Sequence, residues 1–395
     1  MMEAFDVPVG HAGLAASGGD AAQTVLTADD FAQAWDQITS WPGYRPTPLH
    51  AMPAMAEAVG ITALHYKDEG PRFGLGSFKA LGGSYAALRL LQRQIAGQTG
   101  QNVALADIAA GRAAQACAGI TLVSATDGNH GRSLAWGCQR YGAPCRIYIH
   151  AEVSEGRADA MRAFGADVVR INGDYDASVA LARDEAAANG WFVVSDTSWP
   201  GYSDPPRDVM AGYGVMAREA VEALDQPPTH VFLQGGVGGM AAAVTAALRQ
   251  HWGADGPRVV VVEPELAACL YASARAGRLT HVAIEEETMM AGLSCGEPSP
   301  LAWPILAEEA SDFLIIPEAV VAPAMRLLAR PLGDDPAIEG GECAAGGLGA
   351  LIAARRSADV TAKMGLDAGS RVLLVGTEGI TDPKIYAEVM AGGHG

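Results

Sequence analysis

Strand-like and helix-like patterns alternate along most of the chain, and this alternation constrains the fold more than any single motif. Short apolar runs of strand length recur at similar intervals, and helical patterns, such as those over 155–164 and 175–189, separate them. Strands that alternate with helices form βαβ units and a parallel sheet. A helix predicted over 208–223 divides the strands into two series. The predicted strands are 120–125, 145–150, 167–171 and 191–196 in the first series, and 230–234, 258–263, 313–316 and 371–375 in the second.

The two series predict an α/β fold with two domains, which suits a chain of 395 residues. We expect a larger domain assembled from 1–85 and 212–395, with a smaller α/β domain inserted over 86–211. Residues 1–40 show little pattern. For them we expect an irregular arm that ends in a short helix over 28–38.

Composition and charge exclude several classes of partner. The formal net charge of -18 disfavours nucleic acid and anionic membranes, since both bind basic surfaces. The six cysteines are scattered, without the paired spacing of a zinc site or a disulfide framework. No N-terminal basic region precedes an apolar run, and no stretch is apolar over the roughly 18 residues of a membrane span. We therefore expect a reduced, cytoplasmic protein without a metal site.

A glycine-rich stretch, 72–83, places Lys79 at the start of a helix predicted over 80–92. Arginine supplies nearly all the other positive charge, so a lysine retained here indicates an amine that arginine cannot replace. An amine can lose its proton and attack a carbonyl, whereas a guanidinium cannot. The alternative is a solvated surface charge, the usual state of a lysine. The four lysines of the chain are Lys67, Lys79, Lys363 and Lys384.

A second glycine-rich stretch follows the strand predicted over 230–234 and opens an alanine-rich helix over 241–249. Glycine N–H groups at a helix start bind anions, and phosphate is the expected guest. A tight turn without a ligand is one alternative. A dinucleotide site is another, because 236–241 fits the Gly-x-Gly-x-x-Ala fingerprint and Glu263 ends the next strand, near where a ribose-binding acid would lie. The candidate phosphate-binding residues are Gly235, Gly236, Val237, Gly238 and Gly239.

Polar residues follow three more of the predicted strands. The stretch 124–131 joins a strand to a helix, and its backbone amides could bind a carboxylate. Within it, Asp127 could serve as a base or cap the helix, and His130 could be a core or capping residue. Asp196 and the stretch 376–379 lie at the carboxyl ends of predicted strands, where ligands of open α/β sheets gather. An Asx-turn is the alternative for Asp196.

In their order and spacing these stretches resemble the fold-type II pyridoxal-phosphate enzymes, the tryptophan synthase β family. The resemblance extends from about Thr47 to the end of the chain. It includes Gly-Ser-Phe-Lys at 76–79, Gly-Asn-His at 128–130 and the glycine run at 235–239. Within the family the chain is most similar to the diaminopropionate ammonia-lyases. The stretches that carry this closer similarity are 67–69, 72–75, 79–85, 126–131, 196–199, 290–293 and 377–382.

The resemblance implies a two-domain parallel-sheet architecture and a role for each candidate residue. Lys79 would bind pyridoxal 5'-phosphate as a Schiff base, the amides of 235–239 would bind its phosphate, and Asn129 would meet its ring hydroxyl. Gly376 stands where many relatives have the serine that meets the pyridine nitrogen. Thr377 would then supply that hydroxyl, if any residue does. The candidate residues for the substrate are Thr126, Asp127, Gly128 and His130.

Asp127 separates the chain from the related serine and threonine dehydratases, which usually carry serine at this place. The ammonia-lyases are known for accepting both enantiomers of their substrate, and Lys79 and Asp127 would supply one base for each. Asp196 would bind the β-ammonium group of the substrate. The stretch 203–208 is more charged than the resemblance leads us to expect, which indicates a changed substrate with an acidic β-substituent or a hydroxyl leaving group.

The expected activity is a β-elimination that converts a small 2-amino acid, first of all 2,3-diaminopropionate, to pyruvate and ammonia. A dehydratase of a 3-hydroxy amino acid, of the serine, threonine or hydroxyaspartate type, differs only in the leaving group. The residues also leave open an NAD-dependent oxidoreductase and an amino-acid sensor without catalysis. The resemblance favours a homodimer.

Overall fold

The computed structural model describes residues 2–15, 17–126, 128–173 and 175–393, with the backbone alone at residue 176. The chain forms two units. The larger unit comprises Met1–Ala28, Pro46–Ser77 and Met216–Gly395, and the smaller unit comprises Asp29–Arg45 and Phe78–Val215.

Each unit contains a β-sheet. The sheet of the larger unit has the order β1-β10-β9-β8-β11-β3-β2, and the sheet of the smaller unit has the order β6-β5-β4-β7. All neighbours are parallel except for the two edge strands of the larger sheet, β1 and β2. The described strands are β1 (Gly10–Gly13), β2 (Leu49–Ala51), β3 (Ala63–Asp68), β4 (Leu122–Ala125), β5 (Cys145–Ile149), β6 (Asp167–Arg170), β7 (Phe192–Val193), β8 (His230–Gln234), β9 (Arg258–Pro264), β10 (Asp312–Ile316) and β11 (Arg371–Gly376).

Helices connect these strands, and short 3-10 turns occur at Met2–Phe5, Arg72–Gly74, Gly253–Asp255, Ala291–Leu293 and Glu318–Val320. None of the described helices is long and apolar enough to cross a membrane. The described helices are α1 (Ala21–Thr24), α2 (Ala28–Thr39), α3 (Pro53–Val59), α4 (Lys79–Thr99), α5 (Leu105–Ala109), α6 (Ala114–Cys117), α7 (Asn129–Tyr141), α8 (Glu155–Arg162), α9 (Tyr175–Asn189), α10 (Asp204–Ala223), α11 (Gly239–Trp252), α12 (Cys269–Ala276), α13 (Trp303–Glu309), α14 (Val321–Ala329), α15 (Glu342–Arg356), α16 (Ala358–Met364) and α17 (Pro383–Met390).

The sequence expectation of parallel sheets is confirmed, and strand β8 has the predicted bounds. The expectation of an irregular arm over 1–40 is wrong for β1, which pairs antiparallel with β10. Strand β7 is shorter than the predicted 191–196 because the chain turns after Val194, whose N–H still bonds to the Val123 carbonyl at 2.8 Å. Helix α10 begins at Asp204, earlier than the predicted residue 208.

Parallel strands place the candidate residues at shared sheet edges. In the larger sheet, β8 and β11 run parallel, so the glycine stretch after Gln234 and Thr377 after Gly376 follow the carboxyl ends of neighbouring strands. In the smaller sheet, β4 and β7 are also parallel neighbours, so Thr126 and Asp196 follow strand ends on one edge. These edges are where ligands of open α/β sheets bind.

Helices α4 and α7, whose first residues are Lys79 and Asn129, pack at very short range. A Cβ atom on Gly137 would lie 3.0 Å from the Ser84 Cα, so the glycine is required for this approach. The Ser84 hydroxyl donates a hydrogen bond to the Ser133 carbonyl at 2.7 Å. The contact between the helix bodies fixes the two helix starts relative to each other within the smaller unit.

Candidate active site

The smaller unit brings Lys79 and Asp196 into direct contact. The Lys79 Nζ donates a hydrogen bond to Asp196 Oδ2, and the two side chains are only 22% and 20% exposed. Burial alone would raise the pKa of the Asp196 carboxyl, but the charge and hydrogen bond of Lys79 hold that pKa well below its ordinary value. Asp196 is therefore ionised, and it binds an ammonium group. The alternative of a solvated surface lysine does not describe Lys79.

Aromatic rings surround the Lys79 amine. Its Nζ lies 5.4 Å from the centroid of the Phe78 ring and 5.9 Å from that of the Tyr213 ring. These two rings contact each other, with centroids 4.7 Å apart. The close packing depends on Gly82, because a Cβ atom there would lie 2.4 Å from Tyr213 Cε1. Among the described residues, the Asp196 carboxylate and these two aromatic rings therefore lie next to the amine.

The loop that carries Asp196 is fixed by a tight turn. Trp199 and Tyr202 exchange backbone hydrogen bonds and stack with ring centroids 3.9 Å apart. Gly201, at φ 83°, supplies the left-handed residue that the turn needs. The Tyr202 hydroxyl accepts a hydrogen bond from the Ser195 N–H at 2.9 Å and donates one to the Val193 carbonyl at 3.0 Å. Ser195 precedes Asp196 directly, so the Asp196 carboxylate extends from a backbone that these hydrogen bonds hold in place.

His130 is buried and supports the same loop. Its Nε2 lies 2.9 Å from the Val194 carbonyl oxygen, and because a carbonyl only accepts hydrogen bonds, Nε2 carries the proton. Burial lowers the pKa of His130, in spite of the nearby charge of Asp196, so the ring is neutral. This geometry gives His130 a positioning role toward the loop of Asp196.

Thr126 and Gly128, the described residues between β4 and α7, lie next to the N-terminus of α7. Thr126 Oγ1 accepts a hydrogen bond from the Gly128 N–H at 3.2 Å, and the half-buried Asn129 begins α7. The N–H groups of a first helical turn lack intrahelical acceptors and can bind a carboxylate. Asp127, the predicted second base, lies outside the described residues.

In the larger unit the glycine stretch forms a loop between β8 and α11. Gly236 and Gly238 have φ angles of 59° and 96°, which non-glycine residues rarely adopt. The Gly238 N–H donates to the Gly235 carbonyl at 3.1 Å and closes the loop, and Val237 lies half-buried at its tip. The loop then opens α11 at Gly239. This is the local geometry of a phosphate cradle.

Glu263 does not have the arrangement that a dinucleotide site requires. It is fully buried, and its two carboxylate oxygens accept hydrogen bonds from the Leu270 N–H at 2.9 Å and the Tyr271 N–H at 2.6 Å. Burial raises the pKa of Glu263 to about 8 although these two bonds lower it. A carboxyl group enclosed in this way cannot bind the hydroxyls of a ribose, so the interpretation of Glu263 as a ribose-binding acid is wrong.

The residues at the carboxyl end of β11 are Gly376 and, directly after the strand, Thr377, the two candidate positions for a hydroxyl that meets a ring nitrogen. A Cβ atom on Gly376 would lie 2.1 Å from Tyr66 Cε1, so the fold excludes a serine at this position. The next residue, Thr377, is buried, and its Oγ1 has no hydrogen-bond partner in the described part of the chain. Buried hydroxyls are nearly always hydrogen-bonded. An orphaned hydroxyl after the carboxyl end of β11 fits a ligand with a ring nitrogen.

The charged stretch 203–208 comprises Ser203 and the first five residues of α10. Asp208 is buried and binds the Arg93 guanidinium at 2.7 Å, with Arg89 at 3.5 Å. Asp204 pairs with Arg207 at the exposed helix start. The ion pairs of Asp208 hold the start of α10 against α4 in the smaller unit. Because these charged residues bind one another, they give no reason to expect an acidic substrate.

Sequence reasoning misses the aromatic residues of the site. Tyr213 lies in the middle of the predicted helix over 208–223, where an aromatic residue is a normal core residue. Tyr66 stands beside the Lys67-Asp68-Glu69 stretch, but nothing in the sequence pairs it with Gly376. The one available signal is the glycine itself, at a place where relatives carry serine.

Known proteins resemble the chain over most of its length. Residues 40–375 match the pyridoxal-phosphate dependent enzyme family. Diaminopropionate ammonia-lyase of Escherichia coli (strain K12) is 39% identical over 355 residues, which are 88% of each chain. The crystal structure of the Escherichia coli diaminopropionate ammonia lyase in complex with an aminoacrylate-PLP azomethine reaction intermediate has a TM-score of 0.89 at 35% identity and covers 98% of both chains. The complex of that enzyme with D-serine has a TM-score of 0.90 and covers 99% of both.

Proposed function

The chain belongs to the family of pyridoxal-phosphate dependent enzymes, and we propose that it is the lyase that converts 2,3-diaminopropionate to pyruvate and ammonia. The observation that carries this proposal is the Lys79–Asp196 pair, in which an ionised, largely buried carboxylate binds the ammonium group of the candidate cofactor lysine. 2,3-Diaminopropionate differs from serine in presenting a β-ammonium group where serine has a hydroxyl.

Four described features would hold pyridoxal 5'-phosphate. Lys79 would bind its aldehyde, the 235–239 loop its phosphate, and Thr377 its ring nitrogen; Asn129 would meet its ring hydroxyl. The orphaned hydroxyl of Thr377 and the left-handed glycines of the loop support this assignment. When bound, the cofactor supplies a ring that accepts the electron pair left on the α-carbon as its proton departs.

Lys79 Nζ would take the α-proton from one substrate face. The Asp196 carboxylate, together with the apolar rings of Phe78 and Tyr213, orients this amine. Asp127 would take the α-proton from the opposite face, which would allow both enantiomers to react. The first-turn amides of α7 would hold the substrate carboxylate.

Asp196 would then bind the β-ammonium group of the substrate. Its carboxylate already binds an ammonium group in the structure, that of Lys79. Because the leaving group departs as ammonia, the same carboxylate would favour the protonated amine before the elimination. An ionised Asp196 also disfavours substrates with an acidic β-substituent, since two carboxylates repel each other in a buried site.

A dehydratase acting on serine is the second candidate. The observation that favours it is the binding of D-serine by the Escherichia coli enzyme, with which this chain shares 35% identity. The charge of Asp196 argues for the diamino acid as the better substrate.

We further propose a cytoplasmic homodimer, in agreement with the family resemblance, and light scattering of the purified protein would test the oligomeric state.

The experiment is a substrate panel with the purified protein loaded with pyridoxal 5'-phosphate. D- and L-2,3-diaminopropionate, D- and L-serine, L-threonine and hydroxyaspartate are compared by release of 2-oxo acid and of ammonia. We expect the diamino acid to react fastest and to release two ammonia molecules for each pyruvate. Faster turnover of serine, with one ammonia for each pyruvate, would establish the dehydratase instead.

A further inference from the structure

A closed ion network lies in the larger unit, a short distance along the chain before Lys79. Arg72 is 1% exposed, and its guanidinium binds two carboxylates, those of Glu69 and Glu219, each through two hydrogen bonds of 2.7–2.8 Å. Lys67 Nζ donates to Glu219 Oε2 at 2.6 Å and to the Thr47 carbonyl at 2.7 Å. The two positive and two negative charges balance, so the network is satisfied although it is buried.

Thr47 closes this network. Its hydroxyl donates to Glu69 Oε1 at 2.5 Å and accepts from Arg72 Nη2 at 3.0 Å. The carboxylates of Glu69 and Glu219 raise the pKa of Arg72, outweighing the effect of burial. Only arginine presents the planar fork of donors that can bind two carboxylates in this way.

The chain that leaves Arg72 adopts an unfavourable conformation. Phe73 has a φ of 52° and is the sole non-glycine residue with a positive φ in the described ranges. Gly74 and Gly76 follow with φ angles of 70° and 78°. A bulky residue in the left-handed region is strained and persists only where the surroundings impose it. Arg72 is the residue directly before this strained turn, and its guanidinium makes four hydrogen bonds to the two carboxylates.

The far end of the turn is fastened to the stretch that carries Thr377. The Gly379 N–H donates to the Gly76 carbonyl at 2.9 Å, and Ser77 forms a β-bridge with Glu378. Two residues after Ser77 the chain reaches Lys79. The left-handed turn is therefore held at both ends within the larger unit.

We propose that Arg72 is a positioning residue for Lys79. By binding Glu69 and Glu219, Arg72 imposes the left-handed turn, and this turn determines the position of the Lys79 backbone. The inference rests on the proposed role of Lys79 in the reaction. Loosening the turn would misplace the amine, and a misplacement of about 1 Å costs on the order of 100-fold in rate.

The test uses Arg72→Lys, which keeps the charge and removes the fork. Arg249→Lys is the matched control, because Arg249 is also a largely buried arginine of the larger unit and binds Glu309 at 2.8 Å, away from the turn. Steady-state kinetics with the best substrate, thermal unfolding, and hydrogen exchange of the peptide covering 72–79 in the cofactor-free protein are measured for both variants. We expect Arg72→Lys to lower kcat about 10- to 100-fold at similar KM and to speed exchange of that peptide. Arg249→Lys should lower the unfolding temperature without either effect.

Phe73→Gly distinguishes positioning from a loss of stability. Glycine adopts the left-handed conformation without strain, so it does not depend on the ion network to do so. In the Arg72→Lys background we expect Phe73→Gly to recover at least about threefold in kcat and to slow exchange of the 72–79 peptide, since the residue no longer drives the turn open. A merely structural role for Arg72 would make the two substitutions additive, and additivity would overturn the proposal.

Unchanged exchange at 72–79 in Arg72→Lys would also overturn it. If Arg72→Lys does not fold, Thr47→Val replaces it, because this change removes one hydroxyl from the network and leaves every charge in place. Thr47→Val should speed exchange at 72–79 to a smaller extent, and wild-type exchange would refute the inference. A wild-type protein that releases no 2-oxo acid would instead refute the proposed function, while the exchange measurements would still decide whether Arg72 holds the turn.

Discussion

Gly376→Ser would restore the residue that many relatives use, and we predict that it damages this protein. The new Cβ atom would lie 2.1 Å from Tyr66 Cε1, whereas ordinary van der Waals contact begins near 3.4 Å. The Tyr66 ring would have to move by about 1.3 Å, the difference between these distances. This ring is 0% exposed and belongs to the main core cluster of the larger unit, so it has no free space beside it.

Overpacking of a core by a small group costs about 1–3 kcal/mol and sometimes more. The overlap at Gly376 involves two ring atoms and the hydroxyl oxygen of Tyr66 within 2.3 Å, so we expect the free energy of unfolding to fall by about 3 kcal/mol or more. Tyr66→Ala alone should cost about 3–5 kcal/mol through the cavity that it leaves. The double variant should be less destabilised than the sum of the two, by about 1–2 kcal/mol, because the added atoms occupy part of that cavity.

Urea unfolding of the cofactor-free protein measures these stabilities, and a titration with pyridoxal 5'-phosphate measures affinity. Thr377→Val is the companion variant. Its hydroxyl has no partner in the described structure, so its removal should leave stability nearly unchanged and weaken cofactor binding about tenfold. A Gly376→Ser protein as stable as the wild type would refute the steric argument. Tighter cofactor binding by it would refute the assignment to Thr377.

Three further predictions concern carboxylates. Asp196→Asn should lower kcat/KM for 2,3-diaminopropionate on the order of 100-fold and for D-serine by less, because only the former needs an ammonium-binding charge; equal losses would remove that role. Asp127→Asn should damage turnover of the D-enantiomer more than of the L-enantiomer, and equal losses would contradict the assignment of one base to each face. Glu263 has its pKa raised from 4.5 to about 8 by burial, so between these values the unfolded chain releases this proton and the folded chain keeps it. The stability that the neutral group contributes is complete below pH 4.5 and is lost as the pH rises through 8, by about 1.4 kcal/mol per pH unit or less. Thermal unfolding of Glu263→Gln between pH 4.5 and 8 should lack this decrease of stability with pH. A decrease as steep as that of the wild type would refute the assignment.

The sequence is sufficient for the parallel architecture because buried parallel strands are apolar on both faces. Strand β8, for example, is buried along its whole length, and its bounds match the sequence prediction. Strand β1 cannot be found in this way. It reads Gly-His-Ala-Gly, and its pairing with β10 depends on a glycine, since a Cβ atom on Gly10 would lie 2.3 Å from Ile315 Cγ1. Because β1 forms through its packing against β10, its own sequence lacks the hydrophobic pattern of a strand.

The candidate site divides in the same manner. Lys79 and Asp196 can be found one by one, because a scarce lysine and an acid at a strand end are unusual in themselves. Their contact, and the rings of Phe78 and Tyr213 beside the amine, depend on how α4 and α10 pack with β7 in the smaller unit. The exclusion of serine by Tyr66 is likewise a relation between two strands, and it requires the register that pairs β11 with β3.

The four lysines of the chain differ in exposure and in their contacts. Lys363 and Lys384 are exposed and could be arginines without loss, whereas Lys67 and Lys79 are shielded and paired with carboxylates. The chemistry proposed for Lys79 requires an amine, whereas Lys67 is a lysine for a steric reason. Its compact ammonium fits between the Thr47 carbonyl and Glu219 at 2.7 and 2.6 Å, where the wider guanidinium of Arg72 already occupies the remaining carboxylate oxygens. The scarcity of lysine therefore marks two positions with different surroundings, and the contacts of each amine separate the proposed Schiff-base lysine from the lysine of the ion network.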